Sequence, residues 1–283
     1  MPNAPRLRNL DPVDDLLARL RLDRVARGRG VAITEGPTDS RMLSAALGAH
    51  GNNFFSAGGR GNVLRCAEEL RNEPLSGVIC VADRDFDSGE DHWPGAWWLV
   101  FYDDADIEAM LVESQALTRV LDEWASEGKL ARFGGVEAVR RQARESTGPL
   151  AVLRAINARD GLGIPFDGIE MQDLFDKKSG ELRTASLIGK VAGLSKVSHA
   201  ELQEMLDGAP LICPQTNRPL SRGRDLLAAI SALLRRSIGS LSKQQTAGGL
   251  VEKSLRLAIR PGDLDGTPFR DRYDAAMGQA TGG

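Results

Sequence analysis

Residues 77–82 read Gly-Val-Ile-Cys-Val-Ala with no polar interruption, and Asp83-Arg84-Asp85 follows at once. A strand with one wet face alternates; a run that is apolar at every position belongs to a strand buried on both faces. Such a strand needs helices above and below it. The flanking sequence supplies them. Gly30–Thr34 reads as a strand and Pro37–Leu47 as a helix, residues 54–56 as a strand and 63–70 as a helix. Residues 97–101, Trp-Trp-Leu-Val-Phe, make a fourth strand, and Ile107–Val112 begins another helix. Strands alternating with helices predict an α/β fold built on a parallel four-stranded sheet.

On either side the pattern differs. Residues 11–27 predict a helix with Asp11 as N-cap, Pro12 at the first position, Asp14 and Asp15 in the first turn, and Gly28 and Gly30 at its end. Leu16, Leu17 and Leu20 form one face, read first as packing on its own domain and second as a partner surface. From residue 116 onward the sequence is helical with polar breaks: Ser198 and Glu201 make a capping box, and Leu226, Leu227, Ile230, Leu233 and Leu234 fall at helical spacing. The expected organisation is therefore an N-terminal helix (1–29), an α/β domain (30–115) and a mainly helical half (116–283).

Composition narrows the class. With 42% hydrophobic and 27% charged residues, the chain excludes disordered, collagenous and coiled-coil readings. No run approaches the ~20 apolar residues of a membrane span, and the N-terminus does not read as a signal peptide. Cys66, Cys80 and Cys213 form no CxxC pair, which leaves neither a zinc ribbon nor a disulfide framework and sets a cytoplasmic location as the expectation. The net charge of −3 gives no overall nucleic-acid footprint. Its distribution is uneven: residues 1–30 carry +3, residues 31–115 carry −10 and residues 116–283 carry +4.

In open parallel sheets, ligands bind beyond the carboxyl ends of the strands. There the sequence places Glu35-Gly36-Pro37-Thr38-Asp39 after the first strand, Asp83-Arg84-Asp85-Phe86-Asp87 after the third, and Asp103, Asp104, Asp106 and Glu108 after the fourth. Crowded carboxylates repel and resist ionisation unless cations neutralise them. Hard oxygen ligands of this kind suit Mg²⁺ or Mn²⁺. Any one of these acids alone is more simply a turn former or helix cap, and that reading is preferred for Asp87, Asp104 and Asp106; for Glu35 with Asp83 and Asp85 the metal reading is preferred. Calcium sensing is rejected, because the loop starting at Asp83 has Ser88 at position six and Pro94 at position twelve.

Strand–Glu-Gly-x-x-Asp–helix followed by apolar strand–Asp-x-Asp resembles the Toprim domain of primases, topoisomerases and overcoming-lysogenization-defect nucleases, over roughly residues 30–115. The resemblance implies a Rossmann-like parallel sheet, with Glu35 as the acid/base or metal-linked glutamate, Asp83 and Asp85 as Mg²⁺ ligands, and Asp39 at a second metal. Residues 103–108, Asp-Asp-Ala-Asp-Ile-Glu, look like the acidic helix start of the nuclease branch. Only Tyr102 and Tyr273 offer a phenol, and three scattered cysteines make no zinc module; what remains by resemblance is a hydrolase. The layout looks most like the stand-alone Toprim effectors of PARIS-type anti-phage defence systems, which implies RNA (tRNA) cleavage in preference to DNA, an ABC-like ATPase partner, and a homodimer or larger assembly. A non-catalytic Toprim-fold module that binds nucleotide or a partner protein is the alternative.

Hydrolysis of a phosphodiester also uses a fixed cation beside the phosphate. Arg84, Lys190 and Arg224 are candidates, with ordinary helix surface the simpler reading of Lys190 and Arg224. Residues 56–61, Ser-Ala-Gly-Gly-Arg-Gly, read as a tight turn, with a phosphate cradle second. His50, His92 and His199 lack ligand spacing, and Trp93, Trp97 and Trp98 read as packing.

Overall fold

The computed structural model describes residues 11–27, 30–48, 52–86, 92–176 and 178–282. Helix α1 (Pro12–Arg27) leads into strand β1 (Gly30–Thr34), α2 (Pro37–Leu47), β2 (Asn52–Ser56), α3 (Arg60–Asn72), β3 (Val78–Ala82) and β4 (Leu99–Phe101). The four strands form one parallel sheet in the order β2-β1-β3-β4. Every residue of β1 and β3 is buried, as the uninterrupted apolar run requires. Successive side chains point to opposite faces: Ala32, Ile79, Val81 and Val100 enter one core, while Val31, Ile33, Cys80 and Phe101 enter the other.

The second of these cores lies under α1 and α3. Leu17 and Leu20 are buried in it, so the leucine face of α1 packs on its own α/β layer, and the partner-surface reading of that face is withdrawn. Asp11 caps α1 by accepting from the Val13 N–H at 2.9 Å. Strand β4 is shorter than the sequence predicts and excludes Trp97 and Trp98: the Trp98 indole N–H donates to the Ala67 carbonyl of α3 at 2.9 Å, and the two rings meet edge to face.

The other face is covered by α2 and by α13 (Pro268–Thr281), which returns from far downstream. Phe269 stacks on Tyr102 with ring centroids 5.1 Å apart, and the Gly77 N–H donates to the Ala280 carbonyl at 2.5 Å. Between them run α4 (Ile107–Val112), α5 (Gln115–Trp124), α6 (Glu127–Phe133), the long α7 (Gly135–Asp160), α8 (Thr184–Leu194), α9 (His199–Leu206), a two-residue hairpin of β5 (Ile212–Cys213) and β6 (Arg218–Pro219), α10 (Gly223–Leu234), α11 (Lys243–Thr246) and α12 (Leu250–Ala258). Ser198 and Glu201 form the expected capping box on α9. Leu226, Ile230 and Leu233 of α10 share one continuous core with α2, α4 and the sheet, so residue 116 marks where strands stop rather than where packing breaks. Among the described residues, no helix is long and apolar enough to cross a membrane.

Candidate functional site

The strand order places a switch point at the sheet's centre. From β1 the chain steps outward to β2, and then returns to β3 on β1's other side and continues to β4. The crevice at such a point, beyond the carboxyl ends of β1 and β3, is where open α/β sheets bind ligands. Glu35 follows β1 there, and Asp83 and Asp85 follow β3.

Glu35 is held at both ends. Its carbonyl accepts from the Gly58 and Gly59 N–H groups at 2.9 and 2.8 Å and from the Ser56 hydroxyl at 3.1 Å. Its side-chain Oε1 accepts from the Asp83 N–H at 2.9 Å. The Gly58-Gly59 loop takes φ values of 80° and 130°, which favour glycine, and its N–H groups are committed to Glu35. That sets aside the phosphate-cradle reading and leaves the tight turn, now with a positioning role. Asp39 accepts from the Gly36 N–H at 2.7 Å and so caps α2.

Burial and like charge act together on these acids. Burial, opposed by the Asp83 N–H and reinforced by Asp85 and Asp39, raises the Glu35 carboxyl to about 7. Asp83 is pushed up to about 10, by burial first and then by Asp106, Glu35, Asp85 and Asp39. Its carboxylate makes no hydrogen bond or ion pair among the described residues. Asp85 sits at φ 52°, donates its N–H to the Ala105 carbonyl at 3.0 Å, and lies 3.4 Å from Arg60 Nε. Arg60 also donates to the Asp83 carbonyl at 3.0 Å. Below them the buried Tyr102 hydroxyl has no hydrogen-bond partner among the described residues, and its charged neighbours are Asp83, Asp39, Glu35 and Glu108.

The acids after β4 divide. Asp106 caps α4 through the Ala109 N–H at 2.9 Å and receives the Gly223 N–H at 3.0 Å, while its charge also faces Asp83. Glu108 pairs with Arg256 at 3.1 Å. Asp103 and Asp104 turn away into structural contacts: Asp103 to the Phe269 N–H and Arg272, Asp104 to the Ser221 N–H and Arg144. Asp106 therefore caps α4 and Asp104 is a structural acid, as the simpler reading of each has it, with a second, electrostatic role for Asp106.

Among the described residues, the cations named from sequence have other partners or places. Arg84 is buried and donates to the Tyr102 carbonyl at 3.0 Å, with Asp103 and Asp104 as its acidic neighbours. Arg224 makes an exposed pair with Asp167 at 3.3 Å. Lys190 lines a separate cavity at the far end of α10. The cations at the edge are instead Arg60 and Arg222, the latter sharing a cavity of about 200 Å³ with Asp85 and Arg154. Arg60 carried a signal, since it opens a helix directly after β2; Arg222 did not. Asp87 and His50 lie outside the described residues. Cys66, Cys80 and Cys213 are buried free thiols.

Whether these residues suit a divalent cation can be judged from their chemistry. An all-oxygen donor set, an unpartnered Asp83 carboxylate and an orphaned Tyr102 hydroxyl fit Mg²⁺ or Mn²⁺. Among the described residues, however, no three His, Cys, Asp or Glu side chains form a ready metal-holding group, so binding would require the carboxylates to close inward. Compared with known proteins, the chain matches no family model, no curated protein and no solved structure.

Proposed function

We propose that this chain is a Toprim-type, metal-dependent nuclease that hydrolyses phosphodiester bonds at the β1–β3 edge. One observation carries the reading: the Glu35 carboxylate accepts the Asp83 N–H at 2.9 Å, and burial first, then neighbouring acids, raises both carboxyls, to about 7 and about 10. Burying that much like charge serves no packing purpose and suits a site built around cations. Asp83, Asp85, Asp39 and the free Oε2 of Glu35 would hold Mg²⁺ or Mn²⁺. Such an ion supplies charge stabilisation at the phosphoryl group and a more acidic bound water.

The chain's own groups account for the rest. Glu35 would exchange the proton, taking it from the attacking water or returning it to the leaving oxygen. Arg60, fixed against the Asp83 carbonyl, and Arg222 on the cavity wall offer guanidinium groups to the nonbridging oxygens. Preference for RNA, tRNA above all, an ABC-like ATPase partner and assembly as a homodimer or larger particle follow from the resemblance. The −10 charge of residues 31–115 supports a need for help in meeting a polyanion.

A second reading is a non-catalytic nucleotide- or partner-binding module, favoured by the absence of a ready three-ligand group among the described residues. Incubating the purified chain with total RNA and with plasmid DNA, in Mg²⁺, Mn²⁺ or EDTA, separates the two. Metal-dependent cutting is expected, reduced about 10²–10⁴-fold in Glu35→Gln. Cutting that survives Glu35→Gln, or that proceeds in EDTA, overturns the nuclease mechanism; no cutting of either substrate favours the binding module.

A further inference from the structure

At the opposite end of α10 from Asp106, a cavity of about 580 Å³ is lined by Lys178, Arg183, Lys190, Arg235, Arg236 and Lys243. Its two acids are already engaged. Asp173 pairs with Lys243 at 2.6 Å, and Asp176 accepts the Lys178 and Ser179 N–H groups at 2.7 and 3.0 Å. The Arg235 side chain is only 6% exposed, and its Nη1 stops 3.8 Å from Asp173 and makes no hydrogen bond among the described residues. Gln172, on the same wall, leaves its buried Oε1 without a partner. A helix C-terminus favours a nearby cation, which explains an arginine at this point but not the burial of an unbonded guanidinium N–H. Leaving such a group unsatisfied is unfavourable.

The basic surface extends further. A neighbouring cavity of about 420 Å³ shares Lys178 and Arg236, adds Lys129 and Arg132, and has no acidic residue in its lining. Together the two linings hold eight of the lysines and arginines of residues 116–283 against two acids.

We propose that this cavity is a phosphate-binding site, with Arg235 as its buried fork and Lys190 and Lys243, the latter shared with Asp173, as point charges. The phosphate group belongs to a nucleic-acid backbone or to a nucleoside polyphosphate; both present the oxygens that a guanidinium fork recognises. Twelve residues of α10 rise roughly 18 Å, so the site is separate from the carboxylate edge. It binds phosphate whether or not that edge cuts.

The test uses the full chain carrying Glu35→Gln, in EDTA at 150 mM salt, so that no substrate is consumed. One arm measures fluorescence anisotropy with a labelled single-stranded RNA of twelve nucleotides; the other measures calorimetric binding of ATP. Binding in either arm, weakened at least tenfold by Arg235→Gln and by the pair Lys190→Ala/Lys243→Ala but unchanged by Arg21→Gln, which removes an exposed arginine of α1, is expected, and the arm that responds identifies the source of the phosphate. In the RNA arm the lysine pair should also flatten the salt dependence by roughly 1.4 in log–log slope. Should Arg235→Gln fail to fold, the lysine pair decides alone. Absence of binding in both arms, or affinity indifferent to these substitutions, overturns the proposal.

Discussion

Asp83-Arg84-Asp85 and Asp103-Asp104 leave neighbouring strands of one sheet, yet the fold surrounds them differently. Each acid after β4 receives partners of opposite character: Arg272 and the Phe269 N–H for Asp103, Arg144 at 2.6 Å and the Ser221 N–H at 2.8 Å for Asp104. Burial still raises Asp104, but Arg144 and the Ser221 N–H pull it back. Asp83 has no such partner, and its other neighbours are mostly acids. Composition alone does not distinguish a carboxylate that ties a fold together from one available for chemistry. Its company does.

The sharpest way to break this comparison is to remove one acid from each side. Asp104→Ala takes from Arg144, whose side chain is 10% exposed, one of its two counter-charges, with Glu113 at 2.5 Å remaining, and should cost about 3 kcal/mol of unfolding free energy. Asp83→Asn removes the cost of keeping that carboxyl protonated at neutral pH and should leave urea stability there unchanged or higher. Equal losses in the two variants would mean that Asp83 is a structural acid after all.

Gly223 tests the same boundary from its other side. A Cβ there would stand 2.4 Å from Glu108 Cβ, 2.5 Å from Asp106 Oδ1 and 2.6 Å from the Ala109 nitrogen. Gly223→Ala should therefore lower stability by about 1–3 kcal/mol and detach the N–H that Asp106 accepts. A variant as stable as the parent would show that α10 approaches α4 less closely than described.

Metal should sharpen the contrast. Millimolar Mg²⁺ or Mn²⁺ at ten times its Kd would add about 1.4 kcal/mol to the native state, measured as a rise in Tm that Asp83→Asn abolishes and Asp104→Asn does not. A Tm indifferent to both ions would remove the proposed cation from the edge.

Proton linkage gives the most specific difference. The folded chain holds protons on Glu35 to about pH 7 and on Asp83 to about pH 10, whereas unfolded carboxyls release them near 4. Folded pKa values above unfolded ones mean stability that is complete below about pH 4 and lost as pH rises through 7 and then 10. In EDTA, the parent should weaken between pH 5.5 and 8.5 more steeply than Glu35→Gln/Asp83→Asn. Parallel pH profiles for the two would contradict the shifts.

The parts of this arrangement that were legible in sequence are those set by local rules. Apolar runs buried on both faces mark β1 and β3, and Pro37, Asp39 and Ser198 mark helix starts, so local pattern alone places Glu35, Asp83 and Asp85 at one sheet edge. Trp97 and Trp98 misled because aromatic residues suit a strand as well as the turn where an indole reaches the Ala67 carbonyl. Arg84 misled because sequence adjacency to two acids says nothing of direction, and its side chain leaves toward the Tyr102 carbonyl. Arg222, Asp106 with Gly223, and Asp103 with Phe269 depend on contacts more than a hundred residues apart, for which local pattern holds no signal.

The return of α13 over the sheet bears on how the chain is made. Phe269 covers Tyr102 and donates its N–H to Asp103, and Ala280 receives the Gly77 N–H. During synthesis, β3 and β4 emerge more than 150 residues ahead of the segment that closes this face. Contacts of such long range form late, so a nascent chain bearing Glu35 and Asp83 lacks its finished edge until residues 268–281 have been translated. Translation order thus leaves the Tyr102 side of the sheet uncovered until the last helix is made.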